Sequence, residues 1–190
     1  MEVMIGATIA TVILAGVLST YLMLLRSGVR AQNYSTMSAH TRRAFEHLGL
    51  DVRMASKLSS TVPAPSPSRS IITSITLTVP LNYTSNSNKV TYAYDSTNQW
   101  LYMVPGDGSA YVVPGSGTVP DGQQILVRNV TSLTFVRYDK DGVVIPASTT
   151  SDATARRVLC SINVGQSAAG VAATTEAIPS AAFAMRNISL

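Results

Sequence analysis

Between Val3 and Leu25 the chain runs for 23 residues without a charge, in the stretch "VMIGATIATVILAGVLSTYLMLL". Wound as an α-helix, that run is about 35 Å long, enough to cross a hydrocarbon layer of about 30 Å with some tilt. Its polar members are Thr8, Thr11, Ser19, Thr20 and Tyr21. A helix tolerates such hydroxyls in lipid because its own carbonyls can accept from them. A cleaved secretory signal is the competing reading. Such signals have an apolar core of about 7–15 residues behind a basic stretch, and this run is longer and has no basic stretch before it. The segment therefore predicts a membrane-spanning helix in contact with the lipid bilayer.

Small residues recur inside it at four-residue spacing: Gly6 with Ala10, Thr11 with Ala15, Gly16 with Thr20. That spacing lets helices approach closely in lipid and marks candidate helix-packing positions. Two charges frame a puzzle. Arg26 and Arg30 follow the span and nothing basic precedes it. The positive-inside rule would then place the C-terminal part in the cytoplasm, and basic residues ahead of Met1 would reverse that. Glu2 stands at the other edge, where a carboxylate is costly unless it finds a partner or reaches the interface.

Helical character continues to about Leu58. Ala31, Tyr34, Ser38, Thr41, Phe45, Leu48, Val52 and Ala55 recur at alternating spacings of three and four, which puts them on one face. Arg42, Arg43, Glu46, Arg53 and Lys57 occupy the other side. Tyr34, Phe45, Leu48 and Val52 are the residues expected to pack this helix on the rest of the chain. Gly49 is a flaw in the pattern, costing about 1 kcal/mol against alanine. His40 and His47 lie seven apart rather than four, a poor spacing for a metal pair on a helix.

"SSTVPAPSPSRS" (59–70) cannot continue the helix, because closely spaced prolines remove backbone donors and clash with the preceding turn. It reads as a linker. Beyond it the pattern changes to short β runs: "SIITSITLTVP", "KVTYAYD", "QWLYMVP", "SAYVVP", "QILVRNV", "SLTFVRYD" and "RRVLCSINV", with "SAAFAMRN" as a last strand. Turn chemistry bounds them, in "TSNSN", "DSTNQ", "PGDG", "PGSG", "PDG" and "DKDG". The Val-Pro-Gly element at Val104 and Val113 suits a type II turn. None of these glycines leads into a helix, so they are not a phosphate cradle. The predicted fold class is α+β: a transmembrane half-helix (1–25), an amphipathic half-helix (26–58), a linker (59–70) and an antiparallel β head (71–190).

The chain has 190 residues, 13% of them charged, and a formal net charge of +4. Its basic residues are dispersed, whereas a nucleic-acid surface wants a dense basic stripe with interleaved aromatics; no nucleic-acid partner is expected. The single cysteine, Cys160, cannot form an internal disulfide. In "RRVLCSINV" it reads as a small buried hydrophobe. In "DKDG" (139–142) Asp139 and Asp141 supply too few oxygens for a calcium loop, so a plain turn is expected and no metal or other cofactor. Asn-x-Ser/Thr patterns at Asn33, Asn82, Asn129 and Asn187 arise easily by chance in a chain rich in Ser and Thr. No paired carboxylates, metal-ligand cluster or activated serine stands out, so no catalytic residue is assigned and an enzyme is not expected.

"EVMIGATIATVILAGVLSTYLML" resembles the N-terminal segment of type IV pilins and type II secretion pseudopilins. Their precursors carry a short basic leader that a prepilin peptidase removes before the new N-terminus is methylated. In this family the mature chain begins with a phenylalanine, a few residues and a glutamate, which Glu2 matches. The resemblance implies that Glu2 is a subunit-assembly residue, its carboxylate paired with the N-terminal amine of a neighbouring subunit. It also implies a start upstream of Met1, with leader and cleavage site preceding the given sequence. The mid-helix proline of many major pilins is missing here. In the head, "VTYAYD", "LVRNVTSLTFVRYDKDG", "RRVLCSINV" and "MRN" resemble strands of the W- and J-type minor pilins and pseudopilins, some of which bind calcium. The partners so implied are other pilin or pseudopilin subunits, the inner-membrane assembly machinery and the peptidase. The implied location is the bacterial inner membrane, single-pass, with the head in the periplasm. A membrane-anchored β domain acting as an adhesin or binding module is the other class the residues allow.

Overall fold

The computed structural model describes residues 2–59, 71–80, 88–106, 112, 122–145, 151–152, 155–166, 175–177 and 179–186. One helix, α1 (Glu2–Met54), is followed by antiparallel sheets. Its 53 residues make a rod about 80 Å long. Every described side chain from Val3 to Gln32 is exposed. From Met37 onward one side is buried, by Met37, Thr41, Ala44, Leu48, Val52 and Ala55, at spacings of three and four.

The predicted stripe and the observed one share Thr41, Leu48, Val52 and Ala55. Ala31 and Tyr34 are exposed instead, because the head covers the helix only from Met37, and Ser38 is exposed because it lies about 100° round the helix from Met37, off the buried face. The buried face is also centred nearer Ala44 than Phe45, so Phe45 lies at its edge, partly buried against the core.

The helix ends at Met54, short of the expected Leu58. The Ala55 amide still donates to the Asp51 carbonyl (2.9 Å), but the Ser56 amide donates to the Thr78 carbonyl (2.8 Å). That switch feeds the chain directly into a strand, β1 (Lys57–Ser59), paired with β2 (Ile71–Thr78) through Leu58↔Leu77. The expected linker lies outside the described residues from residue 60 to residue 70, and its first residue, Ser59, belongs to β1.

The remaining strands are β3 (Lys89–Asp95), β4 (Trp100–Pro105), β5 (Gln124–Val127), β6 (Val130–Tyr138), β7 (Val144–Ile145), β8 (Ser151–Asp152), β9 (Arg157–Gln166), β10 (Thr175–Ala177) and β11 (Ser180–Ala184). The first sheet has the order β5-β4-β3-β2-β1-β8 and the second β10-β9-β6-β7, with β11 also on β9. The run "QILVRNV", read as one strand, is two. Asn129 takes φ 58, which breaks the extended path, and the Val130 amide bonds the Gln99 carbonyl (2.8 Å) as the chain crosses to the second sheet. The run "SAYVVP" lies outside the described residues apart from Val112.

Both sheets and the helix contribute to a single core. Leu48 and Val52 of α1 belong to the same buried cluster as Ile75, Leu77, Tyr92 and Leu101 of the first sheet and Leu133, Cys160 and Ile162 of the second. Along β9 the buried residues are Val158, Cys160, Ile162 and Val164, the period of two that a half-buried strand requires. The first sheet is buried on its other face as well. Ala93, Tyr102 and Val104 cluster there, and the Thr76 and Thr91 hydroxyls meet at 2.9 Å. Gly106 and Gly142 take φ 92 and φ 81, the left-handed conformation expected of the glycines in "VPG" and "DKDG".

Candidate functional site

The candidate residues fall on two stretches of α1. The first is the apolar half. Glu2 is the first residue of the helix. Gly6, Ala10, Thr11, Ala15, Gly16 and Thr20 are all exposed. A Cβ built on Gly6 or Gly16 would meet nothing within 4 Å, so neither glycine serves a close approach among the described residues. The hydroxyls are satisfied as the helix requires: Thr8 donates to the Ile5 carbonyl (2.8 Å), Thr11 to Thr8 (2.8 Å) and Thr20 to Gly16 (3.0 Å). They therefore cost little in an apolar medium.

The three small pairs do not form one stripe. Each begins five residues after the last, a rotation of about 140° at 100° per residue. Gly16 and Thr20 lie in a shallow groove of about 550 Å³ with Ile13, Val17 and Leu24, while the other two pairs point elsewhere around the helix. The best 18-residue window has a mean hydropathy of 2.1 and none of it is buried. This is a helix long and apolar enough to cross a membrane, and it is compatible with single-pass anchoring.

The second stretch is the junction with the head. Leu48 is 2% exposed and Val52 is fully buried. Tyr34 is 56% exposed and stands beside a cleft of about 890 Å³ between α1 and the β10–β11 region. Phe45 and Phe183 line that cleft, their ring centroids 6.1 Å apart and their planes tilted by 59°, within the range over which aromatic pairs attract. Gly49 explains itself here. A Cβ at this position would lie 2.9 Å from Cε1 of Phe183, so the missing side chain lets the ring rest on the helix backbone. At the cleft's margin Arg42 Nε and Glu46 Oε1 pair at 3.1 Å, both well exposed, a contact that adds little stability.

Sequence reading missed the polar contact at this junction. The Tyr92 hydroxyl donates to the Asp51 carboxylate. Asp51 is 5% exposed and Tyr92 is fully buried, so the bond lies inside the helix–sheet interface. The available signal was an acid between Leu48 and Val52 on the apolar face. An acid placed there has to be satisfied from across the interface. Tyr94, two residues on and facing the same way, donates to the Val130 carbonyl (2.8 Å) and ties β3 to the start of β6. Burial, and next the Asp95 charge, raise the Tyr94 phenol above its ordinary value.

Outside the helix, the described residues singled out in the sequence hold the fold together. Cys160 is fully buried, and burial pushes its thiol up to about 12, so it is a neutral packing group. Asp139 Oδ1 accepts from the amides of Asp141 (2.9 Å) and Val143 (2.8 Å), which closes the turn between β6 and β7. His40 and His47 are both on α1, His40 exposed. Arg128 lies 5.0 Å over the Trp100 ring and Arg157 lies 4.6 Å over the Tyr138 ring, cation–π contacts at the surface.

No protein-family model matches the chain, and no curated protein matches it. What stands is a layout: one long N-terminal helix with an apolar exposed half, packed through its other half on antiparallel sheets.

Proposed function

We propose that this chain is a structural subunit of a type IV pilus or type II secretion filament, a minor pilin or pseudopilin that assembles through its N-terminal helix. One observation carries the reading. The apolar half of α1 is wholly exposed, and the same unbroken helix enters the head's core from Met37 onward. Such a half-helix needs an apolar surrounding, and lipid or the bundled helices of other copies both supply it. Three small-residue pairs at successive rotations of about 140° fit a helix with neighbours on several sides better than one with a single dimer face. Glu2 would pair with the terminal amine of the next subunit. The head, with its surface turns, would face outward.

Glu2→Ala tests this. Membrane insertion stays intact, and incorporation into filaments sheared from cells is lost. Normal incorporation of the variant defeats the assigned role. A second reading, a tethered β domain that binds a ligand, draws on the 890 Å³ cleft beside Phe45 and Phe183. Recovery of the protein only in the membrane fraction, never in sheared filaments, favours that second reading.

A further inference from the structure

The formal net charge of +4 is carried by one stretch of the helix. Residues 3–45 hold four arginines, Arg26, Arg30, Arg42 and Arg43, and no acid; elsewhere the other ten Lys and Arg are matched by the ten Asp and Glu. Arg26 and Arg30 come directly after the apolar run, four residues apart and so on one side of α1. With Ser19, Met23 and Ser27 they line a surface groove of about 560 Å³. Arg42 has Glu46 at 3.1 Å. The nearest acid along α1 from Arg30 is that same Glu46, sixteen residues and about 24 Å away. The head first buries the helix at Met37, seven residues or about 10 Å beyond Arg30. These two arginines are thus the first positive charges met on leaving the apolar run.

We infer that Arg26 and Arg30 clamp the phosphate of an anionic phospholipid headgroup at the edge of the span. This rests on the single-pass reading of α1 and is independent of filament assembly. Two like charges at i and i+4 repel each other, and an anion between them turns that repulsion into attraction. Guanidinium donors match phosphate oxygens in pairs, and the Ser27 hydroxyl in the same groove offers one donor more. A lipid with net negative charge is favoured over a zwitterionic one, whose own ammonium competes for the phosphate. The acyl chains of the same lipid lie along Leu22 and Met23.

The test uses the full chain reconstituted into phosphatidylcholine vesicles with a minor share of phosphatidylglycerol. Spin-labelled lipids report the composition of the shell around the helix. The expected result is enrichment of phosphatidylglycerol by roughly five-fold or more. Arg26→Gln with Arg30→Gln brings the ratio close to one, while Arg42→Gln with Arg43→Gln leaves it enriched. A lipid shell of the same composition as the bulk membrane overturns the clamp. So does loss of enrichment when inorganic phosphate is added at constant ionic strength, because the site would then take the free anion. Wild-type chain extracted from the vesicles by alkaline carbonate overturns the single-pass reading itself. Stable insertion with an unselective shell overturns the clamp alone.

Discussion

The two halves of α1 are one continuous helix with two different surroundings, the first exposed and apolar, the second packed on the head. From Val3 to Gln32 the helix buries no described side chain, and from Val3 to Leu25 it carries no charge on any side. From Met37 to Ala55 it is two-faced, with Leu48 and Val52 inside and Arg42, Arg43 and Arg53 outside. The first half finds no packing partner among the described residues; the second gains its stability by burying one face against the sheets. The lesson is that exposure of apolar surface is a fault only where water is the solvent. Substitutions in one half should therefore leave the property of the other half alone.

Leu48→Ala gives the largest expected effect. Removing a side chain that is 2% exposed leaves a cavity and lowers the stability of the head by roughly 2–5 kcal/mol. Thermal melting of the full chain in detergent measures it, and membrane insertion should not change. Val12→Arg is the converse. It penalises insertion by roughly 2.5–3.5 kcal/mol at the middle of the span, read as the inserted fraction in a translocation assay, with the melting temperature of the head unaltered. If either substitution changes both readouts, the two halves are not separable.

Smaller changes sharpen the junction. Tyr92→Phe removes a donor from the buried Asp51 carboxylate and should cost roughly 1–3 kcal/mol. Gly49→Ala sets a propensity gain of about 1 kcal/mol against a Cβ that meets the Phe183 ring at 2.9 Å. The clash wins by about 1 kcal/mol, and Phe183→Leu in the same chain restores the loss. Equal or greater stability for Gly49→Ala alone would mean the ring can move aside freely. The smallest effect is a pH dependence. Cys160 has its thiol raised from 9.0 to about 12, so the folded state keeps the proton that the unfolded state releases. Its contribution is complete below pH 9 and is lost as pH rises toward 12, and a titration of stability with Cys160→Ala as reference measures the difference.

The apolar half was legible in the sequence because a span is a matter of length and composition, both local. β9 and β11 were legible because each alternates, and β3 and β4 because each is a short run rich in aromatic and apolar residues between turn signals. The end of the helix was not. The Ser56 amide bonds the carbonyl of Thr78, a partner 22 residues ahead, and no local pattern announces that. β1, β7, β8 and β10 are two or three residues long and exist because a neighbouring strand is there to pair with them. Asp51 and Tyr92 are 41 residues apart, so their contact depends on how helix and sheet dock. Gly49 read as a weakness because its partner, Phe183, comes from the far end of the chain.

A single helix that begins in one solvent and ends in a folded core also fixes an angle. Each residue turns the rod by about 100° and lengthens it by about 1.5 Å. Adding one residue between Arg30 and Met37 would swing the whole head a quarter-turn or more around the stalk while hardly raising it. Adding seven would return it close to its starting azimuth, one further heptad from the apolar run. The number of residues in that short exposed neck is therefore a rotational setting, and it decides which side of the head is presented to whatever stands beside it.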